Sequence, residues 1–82
     1  MRDRIIRALL GRDFQRENYA GANLTGAHFI GDNLTDAIFR HSTVTGANFT
    51  ASILTRADFR GARGLTPKQR ADFKARGAIV DD

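Results

Sequence analysis

The chain has 82 residues, enough for one domain near the lower limit of what a single hydrophobic core can hold together. It contains no cysteine, which excludes a disulfide framework and any thiolate metal site, so packing, repetition and end-capping must stabilise it. The net charge of +4 is unevenly spread: residues 1–16 carry five Arg against two Asp, residues 17–55 one Arg against three acids, and residues 56–82 seven Lys/Arg against four Asp. The basic excess therefore sits at the two ends, whereas a nucleic-acid binder concentrates it on one face.

The N-terminus reads M-R-D-R-I-I-R-A-L-L-G. Charge interrupts its apolar residues, unlike the core of a signal peptide, and no stretch is long enough to cross a bilayer. A cytoplasmic chain without membrane contact is expected. Residues 2–10 read as an amphipathic helix with Ile5, Ile6, Leu9 and Leu10 on one side and Arg2, Arg4 and Arg7 elsewhere.

From residue 14 a large apolar residue recurs at every fifth position: Phe14, Tyr19, Leu24, Phe29, Leu34, Phe39, Val44, Phe49, Leu54 and Phe59. A small residue stands two before most of them, as at Ala22, Ala27, Ala37, Ser42, Ala47, Ser52 and Ala57. Glycine is frequent two after, as at Gly21, Gly26, Gly31, Gly46 and Gly61. On an α-helix five residues advance about 500°, so these side chains would drift around the axis. On a straight strand an odd period sends alternate ones to opposite faces. The pattern is coherent if the backbone turns a corner once per repeat, with the large residue and the small one before it sharing the inward face. The glycine then falls at the corner, where a permissive backbone helps.

The repeat ends where its large position becomes Gly64, with Leu65 displaced by one. Beyond it, Thr66 as N-cap, Pro67 in the first turn and Gln69 completing a capping box predict a helix to about Arg76, stopped at Gly77. Ala71, Phe73 and Ala75 are its packing residues, and the tail Ala78-Ile79-Val80 is expected to fold back on the last coil.

Stretches such as A-N-L-T-G (22–26), A-N-F-T-A (47–51) and A-D-F-R-G (57–61) resemble the A-(D/N)-L-X-X unit of pentapeptide-repeat proteins, over roughly residues 12–63. The resemblance implies an all-β solenoid: a right-handed quadrilateral β-helix of about 2.5 coils, capped here by short N- and C-terminal α-helices. The expected organisation is a single domain, 1–82, with an N-terminal helical cap (1–11), the β-helix (12–63), and a C-terminal helical cap and tail (64–82). Sorted twenty apart, the interior columns are Phe14/Leu34/Leu54, Tyr19/Phe39/Phe59, Leu24/Val44 and Phe29/Phe49. Each fully buried side chain contributes about 1.5–3 kcal/mol. Asp32 falls at an inward small position with Arg12 in the same column. Either the two pair, because a lone buried carboxylate is costly, or Asp32 turns to accept from corner amides.

Little here carries reaction chemistry. His28 and His41 fall on different sides, so no metal site is expected. Asp36, His41 and Ser42 are close in sequence, but Ser42 takes an inward position and cannot present its hydroxyl to a substrate. The glycines follow the corners and give no phosphate loop. No catalytic residue and no cofactor is expected. Outward positions offer Arg40 and Arg60 in one column, with Arg16, His41 and Arg56 at nearby corners, as a basic strip for phosphate or an acidic protein surface. The surroundings are neutral, with Asn23, Asn48, Thr25, Thr45 and Thr50, while Ile30, Ile38 and Ile53 also point outward.

The leading expectation is a non-enzymatic scaffold or inhibitor that binds a larger protein complex, in the manner of a compact bacterial or phage-encoded adaptor. The alternative is a nucleic-acid or phosphate binder using the basic strip. The resemblance also implies a third reading. Well-understood members of the family mimic B-form DNA, bind type II topoisomerases such as gyrase, protect them from quinolones, and dimerise through C-terminal elements. This chain departs from them in being short and basic. Phe73, Ile79 and Val80 are candidates either for a homodimer contact through the C-terminal helix or for a cap on the chain's own last coil.

Overall fold

The computed structural model describes residues 11–81. The predicted N-terminal helix, residues 2–10, lies outside the described residues. From residue 13 to residue 63 the chain is a β-helix-type solenoid. Each side is held to the side one coil away by a single parallel bridge: Asp13 to Asn33, Asn18 to Ile38, Asn23 to Thr43, His28 to Asn48, Asn33 to Ile53, Ile38 to Asp58 and Thr43 to Arg63. Every one of these seven spans twenty residues, so four quintets make one coil. The sides never become extended strands, because a corner interrupts each after about three residues.

The corners are uniform. The carbonyl of each large inward residue accepts the N–H three residues on, from Phe14 with Glu17 at 3.2 Å to Phe59 with Ala62 at 3.0 Å. The third residue of each such turn has positive φ, and the second does not, which is the type II turn. Glycine holds that place at five corners. Arg16, Asp36, His41, Ala51 and Arg56 hold it at the other five, with φ between 57° and 62°. The glycine signal in the sequence therefore marked half of the left-handed positions.

Outward Asn and Asp side chains close the same turns from outside. Asn33 Oδ1 accepts from the Thr35 N–H at 3.1 Å and the Thr35 hydroxyl at 2.6 Å. Asn23 with Thr25 and Asn48 with Thr50 repeat the arrangement. These residues are Asx-turn acceptors that fix each corner, so the neutral walls are structural.

Inside, Phe39 stacks on Phe59 with centroids 4.6 Å apart and planes at 2°, and Phe29 stacks on Phe49 at 5.1 Å and 11°. The two stacks come from opposite sides and meet edge to face, as Phe39 meets Phe49 at 5.7 Å and 84°. Both arrangements suit the ring quadrupole, and each such contact adds about 0.5–1.5 kcal/mol beyond burial. Leu34, Val44 and Leu54 fill the other two sides and are buried, whereas Phe14, Tyr19 and Leu24 of the first coil are only half-buried. Ser42 and Ser52 reach the small inward position by donating their hydroxyls to the Phe39 and Phe49 carbonyls at 2.7 Å.

Asp32 is fully buried and takes both of its predicted roles. Arg12 Nη2 donates to Oδ2 at 2.8 Å, while the Arg12 backbone N–H donates to Oδ1 at 2.9 Å. Arg12 also donates to the His28 carbonyl and lies over the Phe14 ring, tying down the start of the coil.

The C-terminal end follows its sequence signals. Gly64, with φ +96°, crosses close to Thr45, where a Cβ would stand 2.7 Å from the Thr45 backbone, so only glycine fits. Leu65, displaced by one, is buried. Helix α1 (Pro67–Ala75) starts at the complete Thr66–Gln69 capping box. Phe73 is 2% exposed and caps the column, 5.2 Å from Phe49 and 5.0 Å from Phe59. Ala71 and Ala75 are exposed, so one residue per helix, not three, makes the packing contact. A residue the sequence did not single out completes the docking: Arg76 Nη1 donates to the Phe49 and Ser52 carbonyls at 3.1 and 3.0 Å, and its guanidinium lies over Phe73. The tail then returns to the coil. Ile79 bridges Asp58 in parallel, Ala78 is buried inward, and Val80 packs partly against the core. The offset here is twenty-one, so the tail behaves as one more quintet shifted by a residue.

Candidate interaction surface

The side built on Tyr19, Phe39 and Phe59 carries most of the outward residues singled out above. The bridged ladder Asn18, Ile38, Asp58, Ile79 runs up it, with Ala20, Arg40 and Arg60 alongside. Its flanking corners carry Arg16, Asp36 and Arg56 on one edge, and Gly21, His41 and Gly61 on the other. The alternating strand geometry sends these side chains out because Phe39 and Phe59 go in.

The strip is not a row of free cations. Asp58 accepts from Arg60 Nη2 at 2.8 Å and Nε at 3.0 Å, and its other flank faces Arg40 Nε at 3.9 Å. Asp36 and Arg56, twenty residues apart in one corner column, form a two-pronged pair at 2.7 and 3.0 Å. The hydrogen bond from Arg60 holds the Asp58 carboxyl below the usual carboxylate range, helped by the charges of Arg60 and Arg40 against a partial desolvation cost. Arg56 does the same for Asp36, with Arg16 adding a smaller attraction. Conversely, both arginines are held above their ordinary values by these carboxylates. The predicted basic strip is thus partly neutralised, with Asp36 and Asp58 set against its four arginines. Sequence distance hid part of this, because Asp36 meets Arg56 and Asp58 meets Arg40 across a coil, whereas Asp58 and Arg60 pair along the chain.

His41 stands on a corner with its ring against Gly61, where a Cβ would come within 2.5 Å of the ring Nδ1. His28 lies on another side and uses its backbone carbonyl toward Arg12. Among the described residues no group of three His, Cys, Asp or Glu could hold a metal ion. Ser42 is fully buried and its hydroxyl is spent on Phe39, while Asp36 is engaged by Arg56, so Asp36, His41 and Ser42 form no triad. Among the described residues, Ile53 and Ile79 are the exposed large apolar ones, at 49% and 41%. Phe73, offered above as a dimer contact, has no surface left for a second copy because its ring is spent on Phe49 and Phe59.

The repeat geometry meets an independent criterion in the comparisons with known proteins. The family model described as pentapeptide repeats (8 copies) matches residues 20–56 and 33–63. The chain belongs to the pentapeptide-repeat family. Members of this family are generally not enzymes. Among solved structures, the chain is similar to a pentapeptide-repeat protein from the thylakoid lumen of Arabidopsis thaliana. Identity is 23%, the TM-score is 0.43, and the match covers 68% of this chain and 46% of that one. The chain therefore spans about half the length of that relative. No curated protein matches. No helix among the described residues is long and apolar enough to cross a membrane.

Proposed function

We propose that this pentapeptide-repeat protein is a non-catalytic binding module, a right-handed quadrilateral coil whose partner is another protein. In this reading residues 1–82 act as one unit, capped at both ends and working in the cytoplasm. The observation that carries it is the ion pairing on the Tyr19–Phe39–Phe59 side. Arg40 and Arg60 share Asp58, and Arg56 is matched to Asp36, beside the outward Ile38 and Ile79. A surface of paired charge next to apolar side chains suits a protein interface, where charges fix register and apolar residues supply affinity. A phosphate backbone instead rewards unpaired cations, and separating Arg60 from Asp58 would cost part of what the phosphate returns. The same argument weighs against a DNA-mimicking, gyrase-directed role, which requires a continuous acidic face.

The test is a pull-down from the native host, comparing the natural chain with the Arg40→Glu/Arg60→Glu double variant by mass spectrometry. One prominent protein partner, lost in the double variant, is the expected result. An unchanged partner list would retire this side. Retention on DNA or RNA that falls steeply with salt would replace the protein reading by the nucleic-acid one.

A further inference from the structure

The last coil ends unevenly. Over the side of Phe39 and Phe59 the chain supplies its own closing segment, residues 77–81. Ile79 donates to the Ala57 carbonyl and accepts from the Phe59 N–H, both at 2.8 Å, and the Asp81 carboxylate accepts from the corner N–H of Gly61. Ala78 fills the inward small position and Val80 the inward large one.

Ten residues earlier in the repeat, the side of Phe29 and Phe49 has the same groups and no such cover. Asn48 is bonded to the coil below, donating to Ala27 and accepting from Phe29 at 2.8 Å. Among the described residues nothing accepts from the Phe49 N–H or the Ala51 N–H, and nothing donates to the Ala47 carbonyl. These groups border an open groove of about 760 Å³ between residues 46–52 and α1, whose far wall is Gln69, Asp72, Phe73 and Arg76. The Arg76 Nε is buried in that wall, also without an acceptor among the described residues.

We infer that this edge receives an extended acidic peptide from a partner protein, added as a parallel strand in the pattern small–any–small–Asp. The inference rests on the reading of the chain as a protein-binding module, and it assigns a surface separate from Arg40 and Arg60. The tail supplies the template. Ala47, Phe49 and Ala51 occupy the places of Ala57, Phe59 and Gly61, with Ala51 in the same left-handed corner conformation, φ +58°. The second peptide residue, like Ile79, donates to Ala47 and accepts from Phe49, which is how main-chain bonds hold an added strand. The first residue, like Ala78, turns inward and must be small. The third must be smaller than Val80, because the Phe73 ring already occupies the room above Phe49. The fourth is Asp, because the Ala51 N–H is the counterpart of the Gly61 N–H that takes Asp81.

The test titrates the isotope-labelled full chain with the peptide Gly-Ala-Ile-Ala-Asp-Gly and follows backbone amides by NMR. Shifts concentrated at Phe49 and Ala51, with hydrogen exchange slowed at least tenfold at both, are expected. N-methylation at the peptide Ile, Leu for its second Ala, or Lys for its Asp should each weaken binding at least tenfold. Amides of Phe49 and Ala51 that stay unmoved at millimolar peptide would overturn the inference. So would equal binding of the Leu peptide, or shifts at Phe59 and Gly61 instead, which would mean that the peptide displaces the tail. A flat titration beside a surviving, Arg40- and Arg60-dependent partner removes only this groove. Loss of that partner dependence with a positive titration removes only the other face.

Discussion

Truncating Arg12 to alanine removes two side-chain donors, Nε and Nη2, from a carboxylate that has no exposure to water. Asp32 keeps one partner, the Arg12 backbone N–H at 2.9 Å, and loses Nε and Nη2 contacts at 3.2 and 2.8 Å. Breaking one half of a fully buried ion pair costs about 3–5 kcal/mol. The Arg12 side chain is 29% exposed, so water can enter its place, and a cost of about 3 kcal/mol is expected. The reciprocal change, Asp32→Ala, restores the small inward residue found at Ala37 and Ala57 and leaves a guanidinium that can turn to solvent while still reaching the His28 carbonyl. Its expected effect is within about 1 kcal/mol of zero. Urea denaturation followed by circular dichroism separates the two, provided the slope stays constant. For a domain this size the Arg12→Ala loss corresponds to a fall in melting temperature of roughly 12–24 °C. Equal losses for the two variants would refute the argument, since they would mean that the pair stabilises by attraction and not by preventing an orphaned charge.

Ala51→Gly should stabilise the fold by about 0.5–1 kcal/mol. The left-handed conformation costs an L-residue about 1–2 kcal/mol, and the added unfolded-chain entropy of glycine returns only part of it. A lower urea midpoint would show that something other than backbone conformation sets that corner. Phe73→Ser should cost about 3–5 kcal/mol while light scattering records an unchanged molecular mass, since the ring packs on Phe49 and Phe59 of its own chain. A changed mass would place the ring at a contact between copies. Asp58 has a folded pKa below its ordinary 3.8, so its stabilisation is complete above the unfolded value and fades as pH falls through the lower, folded one. Asp58→Asn keeps an oxygen for the Arg60 N–H and should flatten the acid limb of a stability–pH curve; limbs that superimpose would deny the ion pair any role.

The inward half of this protein is readable in its sequence because burial imposes a strict period. Phe29 through Phe59 fall inside as spaced, and the termination at Gly64, the capping box at Thr66 and the return of Ala78 are local signals that act within a few residues. The corners were only half legible. Glycine announces φ > 0, but Arg16, Ala51 and Arg56 adopt it with nothing in their side chains to advertise the fact, and Asp36 and His41 with only a weak preference, because ten equivalent turns and the core beneath them override a local cost of about 1–2 kcal/mol. Arg76 was invisible for a related reason. Its partners are the carbonyls of Phe49 and Ser52, and backbone acceptors leave no trace in residue identity.

The outward half misled because charge was counted along the chain. In a coil of twenty residues, the neighbours that matter for an exposed side chain include those twenty away, and on that ruler Asp36 answers Arg56 as Asp32 answers Arg12. Asp58 faces Arg40 across a coil and Arg60 along its own. Once these pairs are formed, Arg16, Arg63, Lys68 and Arg70 are cations with no ion pair among the described residues, and three of the four lie beyond residue 62. The walls of the coil are thus close to neutral, and among the described residues the formal excess gathers toward the helical end. That distribution explains how a chain with a sequence pI near 10.7 can offer a protein-like flank, and why its open groove, bordered by the unmatched N–H groups of Phe49 and Ala51 beside that basic end, favours a peptide carrying a carboxylate.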